Sequence, residues 1–319
     1  METTGPAPAT ANASPSTTRR LPDWLGLGAP KTATTFLAAC LREHPSLYVP
    51  EVKEPHYFSF TIEEGQTLDD YASYFEDASA EQLAGEFSVS YLEHREAPTR
   101  VKAAIPEVKL IASVREPVSL LYSWYWQAKR QNFWQMERNE WDLSFEDAIE
   151  RYDQLLRAVR MGSSLERWLG LFPREQIHIL VQDDIKADQA NEVRRLYEFL
   201  GVDPTFTPDA FRAQSTGKAV HGGVSPKAGA VGWAYGTLYR AAVVGGVRPL
   251  RKLLGERGAK DLLARLRVRD IARKVFFKRG SPPMDEATHR RLTNQLRPEV
   301  EKLESILGRD LSTWKAAER

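Results

Sequence analysis

The sequence predicts an α/β protein in which a central parallel sheet is flanked by helices. Short apolar runs rich in β-branched residues alternate along the chain with segments whose apolar residues recur at helical spacing. That alternation is typical of a parallel sheet with helices on both faces. Near the amino terminus, one apolar run enters a loop and then a helix, in the order that phosphate-binding proteins use.

The predicted elements follow one another along most of the chain. A first strand at 23–28, "DWLGLG", leads into a helix at 34–44, which ends before Pro45 because proline lacks the backbone N–H that a helix needs. The second strand is "VKLIASVR" (108–115), followed by a helix from about Val118 to Arg138. Later elements are two helical stretches in 145–172, a strand at 177–185, a helix at 190–202 with a glycine stop, and two amphipathic helices in 284–314.

Length and composition favour one soluble domain. The chain has 319 residues, 42% of them hydrophobic, which is enough for one large core. A formal net charge of +1 provides no global field to recruit nucleic acid or a membrane, so any anion site has to be local. The single cysteine, Cys40, cannot form an internal disulfide and lies in an apolar helical run. We therefore expect a packing role for it and a cytoplasmic location for the protein.

Two segments differ from this average composition. Residues 1–20 are rich in Ala, Pro, Ser and Thr, which predicts a disordered tail before a single domain at 21–319. Within that domain, about 225–280 is predicted to be a basic helical insertion or lid, since 248–279 holds twelve Lys or Arg residues against three acids. A solvated surface helix and a patch for peripheral membrane contact or an anionic acceptor both fit this charge.

The loop between the first strand and the first helix, "GAPKTATT" (28–35), has the chemistry of an anion site. A helix that begins here presents unpaired backbone N–H groups to a ligand. Three threonines add hydroxyl donors, and Lys31 adds a positive charge on a flexible stem. The loop departs from the Walker pattern, because Pro30 stands where that pattern has the glycine before its lysine. N-capping threonines and a solvated lysine are the structural alternative.

A second element is expected at the same edge of the sheet. In "VREPVSLLYSWY" (114–125), Arg115 directly follows a strand and Ser123 lies eight residues further on, in the next helix. Ligands bind where parallel strands end, and a guanidinium there suits a second phosphate held apart from the first. Taken alone, the pairing of Arg115 with a carboxylate is the simpler interpretation.

Together and in this order, the motifs resemble the sulfotransferase superfamily, whose members use 3′-phosphoadenosine 5′-phosphosulfate (PAPS). The resemblance is to bacterial members similar to the heparan sulfate and other carbohydrate sulfotransferases, and it extends over residues 24–314. It implies the sulfotransferase fold, PAPS as the sulfuryl donor, adenosine 3′,5′-bisphosphate (PAP) as product and no required metal. The motifs are "GAPKTATTFLAACLREHPSLYVPEVKEPHYF", "GEFSVSYL", "VKLIASVREPVSLLYSWY", "EFLGVDP" and "LGRDLSTW".

The resemblance also implies roles for single residues on the donor side. Arg115 and Ser123 would hold the 3′-phosphate, and Lys218 would reach it from a later glycine-rich loop. Lys31 would neutralise charge on the bridging oxygen as its bond to sulfur breaks. The residues that would line the loop around the 5′-phosphosulfate are Lys31, Thr32, Ala33, Thr34 and Thr35.

On the acceptor side, transfer needs a base, because an acceptor hydroxyl or amine has to lose a proton. The candidates are Glu54 and His56 in "KEPHYF" and Glu86 in "GEFSVSYL". In the carbohydrate enzymes, the segment similar to "KEPHYF" carries the catalytic glutamate, which favours Glu54, with His56 as a supporting group. Lys53 and Glu86 would then lie on the acceptor side. A pairing of Glu54 with Lys53, or the capping of a turn, is the structural alternative.

Three positions depart from the family pattern. Ala33 replaces a glycine, which predicts a negative backbone φ there. Leu120 replaces an arginine, and Phe87 replaces a lysine. The donor-side residues named above are otherwise present, so we expect PAPS binding to be intact and the acceptor side to differ.

The acceptor class and two rival functions stay open at this point. Glycans, glycolipids and secondary metabolites all fit as small-molecule or carbohydrate acceptors, and the aromatic residues between Tyr122 and Trp141 suit core packing as well as a sugar platform. A P-loop-like nucleotide kinase is the alternative enzyme, but "GAPKTATT" lacks its glycine–lysine turn and "LIASV" is followed by arginine instead of a metal-binding aspartate. A degenerate, non-catalytic binding module would be expected to lack Lys31 or the base.

Overall fold

The computed structural model describes residues 19–52, 54–131, 143–211, 224–226, 253, 277–279 and 281–316. The strands of its main sheet are β1 (Trp24–Gly28), β2 (Leu47–Tyr48), β3 (Leu83–Phe87), β4 (Lys109–Val114) and β5 (Ile177–Val181). They pair in parallel in the order β2–β3–β1–β4–β5. The predicted α/β fold with a parallel sheet is therefore confirmed.

Helices connect these strands. Beside them, Tyr57–Thr61 forms one π-helical turn, and short 3₁₀ turns occur at Ser73–Phe75, Arg174–Gln176 and Ser312–Trp314. The α-helices are α1 (Thr34–Glu43), α2 (Leu68–Ala72), α3 (Ala97–Ala104), α4 (Pro117–Gln131), α5 (Phe145–Arg151), α6 (Asp153–Val159), α7 (Met161–Leu169), α8 (Gln182–Ala187), α9 (Gln189–Leu200) and α10 (Glu286–Leu307).

Two hydrophobic clusters cover the two faces of the sheet. Side chains alternate along a strand, so Leu25 and Leu27 of β1 pack in one cluster, with α3, α4, α7 and α10. Trp24 of the same strand packs in the other cluster, with α1 and α9. Because both faces are covered, β1 and most of β4 are apolar, which explains why these two strands were recognisable as short buried runs.

The sequence prediction was wrong about the end of one strand and about the number of helices in two segments. The strand predicted at 177–185 stops at Val181, and the chain continues at once as α8, whose first turn carries Asp183 and Asp184; acidic residues favour a helix amino terminus. The region 145–172 holds three helices instead of two, because the chain leaves helical geometry at Tyr152 and Arg160.

The third error concerns the carboxyl-terminal segment, where α10 is one helix instead of two. Pro298 lies inside it, and proline removes one helical hydrogen bond. The helix nevertheless continues, because buried residues on both sides of the proline share one face that packs on the core. Those residues include Leu292, Leu296, Val300 and Leu303.

Several predictions fall on residues outside the described ranges. These are residues 1–18 of the tail, Lys53, Lys218, the aromatic residues at 133–141 and most of the predicted insertion at 225–280. The two ends of that insertion are described: β6 (Val224–Pro226) pairs antiparallel with β7 (Phe277–Arg279), beside α4. Among the described helices, none is both long and apolar enough to cross a membrane.

Candidate active site

The loop after β1 is closed by bonds to the neighbouring strand β4. The chain leaves β1 at Gly28, where φ is 105° and a Cβ would lie 2.4 Å from the carbonyl oxygen of Val89, so glycine is required there. The N–H of Ala29 donates to the carbonyl of Ser113 at 2.9 Å. The hydroxyl of Thr32, which is buried, bonds to the carbonyl of Ala29 at 2.6 Å and to the Ser113 hydroxyl. The side chain of Thr32 is therefore committed to closing the loop.

Two residues of this loop adopt left-handed backbone geometry. Lys31 has φ 64° and Ala33 has φ 73°. The expected negative φ at Ala33 was therefore wrong. The glycine that the family resemblance implied at this position was the signal for a left-handed turn, and the chain adopts that turn with alanine at a cost of roughly 1–2 kcal/mol. Left-handed residues in a tight turn direct successive N–H groups toward one concave side, which suits an anion.

The amino terminus of α1 completes this concavity. Ala33 is the N-cap residue and makes no side-chain capping bond, and the first turn contains no acidic residue. The first N–H groups of the helix and its positive dipole end are thus not satisfied by a cap, which is the condition for binding phosphate or sulfate. Thr34 is buried and Thr35 is half-buried in this first turn.

The ends of three strands converge on the carbonyl oxygen of Lys31. Arg115, directly after β4, donates to it from Nη1 at 3.1 Å, and Gln182, directly after β5, donates from Nε2 at 2.9 Å. Gln182 was not singled out from the sequence, although its position after a buried strand was the available signal. These contacts bring the two predicted phosphate-binding elements, the loop and Arg115, into direct contact.

A cavity of about 580 Å³ opens beside Arg115. Ser119 on α4 lines it, and Ser123 lies one helical turn further along the same face of α4, half-buried. The opposite wall comes from α8 and the carboxyl-terminal turn; its residues include Asp183, Lys186 and Trp314. The cavity thus combines a guanidinium, an ammonium and hydroxyl groups with the carboxylates of Glu116 and Asp183, and Asp183 pairs with Lys186 at 2.9 Å.

A second group of polar residues lies around His56. Its Nε2 is 3.5 Å from the Glu54 carboxylate, and its Nδ1 is 2.7 Å from the hydroxyl of Ser90. Both Glu54 and His56 keep more than a quarter of their side-chain surface exposed, 27% and 29%. The backbone of His56 is left-handed, with φ 57°, and its N–H donates to the Ser88 hydroxyl at 2.9 Å. Two predicted acceptor-side residues are therefore in contact and accessible.

Glu86, the third candidate base, is fully buried on β3. Its carboxyl group accepts hydrogen bonds from the hydroxyls of Tyr71 at 3.2 Å and Ser88 at 2.9 Å. Its pKa is raised to about 8, chiefly by burial and to a smaller extent by the charge of Glu54, although hydrogen bonds from Tyr91, Ser88 and Tyr71 oppose the shift. Glu86 therefore supports His56 indirectly, because it accepts a hydrogen bond from Ser88, whose hydroxyl accepts from the His56 N–H. Glu86 itself does not reach the surface.

The π-helical turn that begins after His56 is fixed by Arg100 of α3. The guanidinium donates to the carbonyls of Phe58 and Ser59, both at 3.1 Å, and to the carboxylate of Glu63 at 2.7 Å. Sequence reasoning missed Arg100, because it lies between two of the motifs and the carbonyls that it binds are 42 and 41 positions away along the chain. Its contacts connect α3 to the segment that carries the Glu54–His56 pair.

A model of the sulfotransferase domain family matches residues 21–216, which is more than half of the chain. The chain belongs to the sulfotransferase family. The matched residues include the loop after β1, the Glu54–His56 pair and Arg115, the features that the geometry singles out. Among the residues that the structure describes, no group of three or more His, Cys, Asp or Glu side chains is arranged to hold a metal.

Curated relatives of this sulfotransferase-family chain are named for heparan sulfate. It is 31% identical over 229 residues to the human heparan sulfate glucosamine 3-O-sulfotransferase 6, covering 69% of this chain and 66% of the relative. It is 29% identical over 221 residues to the mouse heparan sulfate glucosamine 3-O-sulfotransferase 3B1, covering 66% and 54%. The chain thus spans between about half and two thirds of the length of these relatives.

A solved structure shows the same fold over nearly the whole chain. The sulfotransferase from Alicyclobacillus acidocaldarius aligns with a TM-score of 0.64 at 23% identity, covering 93% of this chain and all of that structure. The sulfotransferase fold that the motifs implied is therefore confirmed.

Proposed function

We propose that this protein transfers a sulfuryl group from PAPS to a hydroxyl or amine of a glycan acceptor. Membership of the sulfotransferase family supports the reaction class, and relatives named for heparan sulfate glucosamine support the acceptor class. The loop after β1, an uncapped helix amino terminus with two left-handed residues, fits the 5′-phosphosulfate of the donor.

The hydrogen bond from Arg115 to the Lys31 carbonyl is the observation that carries the proposal. It places a guanidinium beside the loop but outside it, so two anionic groups of one ligand can be bound at separate places. PAPS and PAP carry a 3′-phosphate apart from the 5′-group, whereas ADP and ATP carry all their phosphates at one end. The kinase alternative is disfavoured because Arg115 instead of an aspartate directly follows β4 and the loop lacks a glycine before Lys31.

In the proposed reaction, this chain's residues position an in-line displacement. The acceptor oxygen forms the new bond to sulfur while the bond from sulfur to the bridging oxygen breaks, and the bridging oxygen keeps the electron pair. Lys31 and the α1 amino terminus would stabilise that developing charge; one well-placed group of this kind contributes ~10²–10³ in rate. The acceptor proton passes to the base.

We assign the base to Glu54. A base has to come within hydrogen-bond reach of the acceptor, and Glu54 is partly exposed while Glu86 is enclosed. His56 lies 3.5 Å from the Glu54 carboxylate and is fixed on its other side by Ser90, so it orients the carboxylate. The buried Glu86 supports the backbone of this pair through Ser88.

The test is calorimetric binding of PAP, ADP and ATP to the full chain, with and without magnesium. We expect tight binding of PAP that is independent of magnesium, and much weaker binding of ADP and ATP. Arg115→Ala should weaken PAP binding by about 10- to 100-fold, the usual loss for charge-assisted hydrogen bonds. Arg194→Ala, which removes an exposed arginine of α9, is the matched control and should bind PAP normally. A preference for ATP with magnesium would overturn the proposal.

A further inference from the structure

A second cavity, of about 520 Å³, lies between the segment after β3, α6, α7 and α10. Four arginines line it: Arg95, Arg157, Arg160 and Arg167. Two glutamates, Glu93 and Glu299, share the lining. We call this space the arginine cavity. The proposed transfer reaction uses none of these residues.

The framework of the arginine cavity is fixed by Arg167 and Glu299. Arg167 donates from Nη2 to the Glu93 carbonyl at 3.0 Å and to the Ser164 hydroxyl at 3.1 Å. The carboxylate of Glu299 accepts from the N–H and the hydroxyl of Ser163, at 2.8 and 2.6 Å. The negative charge of Glu299 is therefore already stabilised by the two donors of Ser163 on α7. The Nε of Arg167 is buried and has no hydrogen-bond partner within the described ranges.

The remaining arginines leave the cavity with excess positive charge. Arg95 and Arg160 are exposed and form no ion pair with any carboxylate that the structure describes, while Arg157 pairs with the exposed Asp153 at 2.8 Å. Burial raises the pKa of Glu93 to about 7, against the charges of Arg157 and Arg167, so its carboxyl group is partly protonated near neutral pH. Its second carboxyl oxygen is also buried without a described partner. An anion entering here would find donors that are not committed elsewhere.

The arginine cavity adjoins the candidate active site. The chain between them is a tight turn, in which the N–H of His94 donates to the carbonyl of Ser90 at 3.1 Å. Since such a turn advances the chain by only about 5 Å, Glu93 lies close to Ser90, the partner of the His56 ring. The ring of Phe60, 46% exposed, lies between the rings of His56 and His94, with centroids 5.7 and 5.8 Å away. An exposed aromatic ring thus lies between His56 and the segment that carries Arg95, and it offers an apolar surface on which a sugar ring can pack.

We propose that the arginine cavity is a second anion-binding site, which takes a sulfate or carboxylate group of an acidic saccharide acceptor while another unit of that acceptor reacts beside Glu54. The identity of the ligand as the acceptor rests on the proposed function; the binding of an anionic saccharide does not. The site would select acceptors that already carry negative charge at a fixed distance from the reacting hydroxyl or amine.

The experiment measures calorimetric binding of sucrose octasulfate, a small polyanionic saccharide, to the full chain saturated with PAP, so that the donor site is blocked. We expect binding of the octasulfate and none of uncharged sucrose. Arg95→Ala and Arg160→Ala should each weaken binding roughly 5-fold, as expected for exposed charge contacts, and the double variant about 25-fold. Arg194→Ala on α9 is the matched control and should leave the affinity unchanged.

A variant that should tighten octasulfate binding shows that the weaker binding of the arginine variants is not caused by misfolding. At pH 8, Glu93→Gln removes a negative charge from the cavity and should tighten octasulfate binding about 3-fold; at pH 6, where Glu93 itself is largely protonated, the gain should shrink. The groups that face Glu93 are Arg157, Arg167 and Asp153, together with Arg95 and Glu299.

Each outcome decides between the two proposals. Wild-type affinity in the Arg95→Ala and Arg160→Ala variants overturns the arginine cavity as the site. Inorganic sulfate that binds as tightly as the octasulfate, with the same arginine dependence, supports an anion site and overturns its assignment to a saccharide. If PAP fails to bind while arginine-dependent octasulfate binding persists without it, the anionic saccharide site stands and the proposed sulfuryl transfer fails.

Discussion

Two carboxyl groups of the candidate site, on Glu54 and Glu86, differ in the way that separates a reacting group from a supporting one. Glu54 is partly exposed beside His56, whereas Glu86 is enclosed and its pKa is raised to about 8 by burial. A neutral, enclosed carboxyl group can hold neighbours through hydrogen bonds but cannot receive a proton from a substrate that it does not touch. The environment therefore assigns different roles to the two residues.

The first prediction tests this assignment. Glu54→Gln should lower the rate of sulfuryl transfer by ~10²–10⁴-fold, the usual contribution of a general base, because an amide cannot accept the acceptor proton. The affinity for PAP should stay unchanged, since Glu54 is not in the donor loop. Single-turnover transfer from PAPS and calorimetry with PAP measure the two quantities separately.

Glu86→Gln is the matched control for that variant. Its amide resembles the protonated carboxyl group in shape and in hydrogen bonding, so most of the activity should remain. Full activity in Glu54→Gln combined with a large loss in Glu86→Gln would assign the base to Glu86 instead.

At the residue scale, the sequence allowed candidate site residues to be named, but it did not reveal the long-range contacts that these residues make. Arg115 contacts the loop at the Lys31 carbonyl, and Glu54 contacts His56, while the roles of these residues stay predictions. The role of the Thr32 hydroxyl in closing the loop depends on Ser113, a residue 81 positions away. No local pattern could reveal a contact of that kind.

The segment Tyr57–Thr61 is the element that positions the proposed base. One π-helical turn with a left-handed residue at its start is a costly backbone arrangement, and such turns are frequent at functional sites. Arg100 of α3 binds two of its carbonyl oxygens. The precision of Glu54 and His56 therefore depends on an arginine that does not touch a substrate.

The second prediction concerns this support. Arg100→Met keeps most of the aliphatic stem but loses the hydrogen bonds, so the turn should relax and displace the Glu54–His56 pair. A misplacement of about 1 Å is enough to cost ~10²-fold in rate, and we expect kcat to fall by about 10- to 100-fold. PAP affinity, measured by calorimetry, should not change, because the donor loop follows β1 and is separate from the turn that Arg100 binds.

Arg100→Lys separates position from charge in the same experiment. Its single ammonium keeps the positive charge but cannot bind both carbonyls and the Glu63 carboxylate in the fork geometry of a guanidinium, so kcat should recover only in part. Equal activity of Arg100→Met and the wild type would show that the turn holds without this contact.

At the element scale, sequence prediction succeeded where the apolar residues follow one clear pattern, that of a strand or that of a helix. β1, β4, α1 and α9 carry clear strand or helix patterns and were predicted within a few residues. β3 was not predicted, because "LAGEF" contains a glycine and a glutamate, which are uncommon in buried strands. The glutamate is accommodated there by hydrogen bonds from Tyr71 and Ser88. The continuity of α10 through Pro298 depends on tertiary packing that no local rule contains.

At the scale of the whole molecule, the order of the strands assembles the site. β1 lies between β3 and β4, so its loop has the Glu86 strand on one side and the Arg115 strand on the other. All five strands are parallel, and their carboxyl ends meet at one edge. The sequence predicted the parallel sheet but not this order, which depends on long-range pairing.

The same assembly has a consequence for global stability, because it encloses Glu86. Its pKa is about 8 in the folded state against an ordinary 4.5 in the unfolded chain. Between these values the unfolded chain has lost the proton that the folded protein keeps. The free energy of unfolding should therefore fall as pH rises from about 4.5 to about 8, and this contribution should level off above pH 8.

The third prediction is that Glu86→Gln removes this dependence. In urea unfolding at pH 5, 6.5 and 8, the variant should gain stability relative to the wild type as pH rises, by about 1 kcal/mol per pH unit. Glu93→Gln is the informative comparison, since the pKa of Glu93 is raised only to about 7 and its relative gain should end a unit earlier. If the difference between Glu86→Gln and the wild type stays constant with pH, Glu86 is ionised in the folded protein. In that case its negative charge would act on Glu54, the proposed base, through electrostatic repulsion instead of through a neutral hydrogen bond to Ser88.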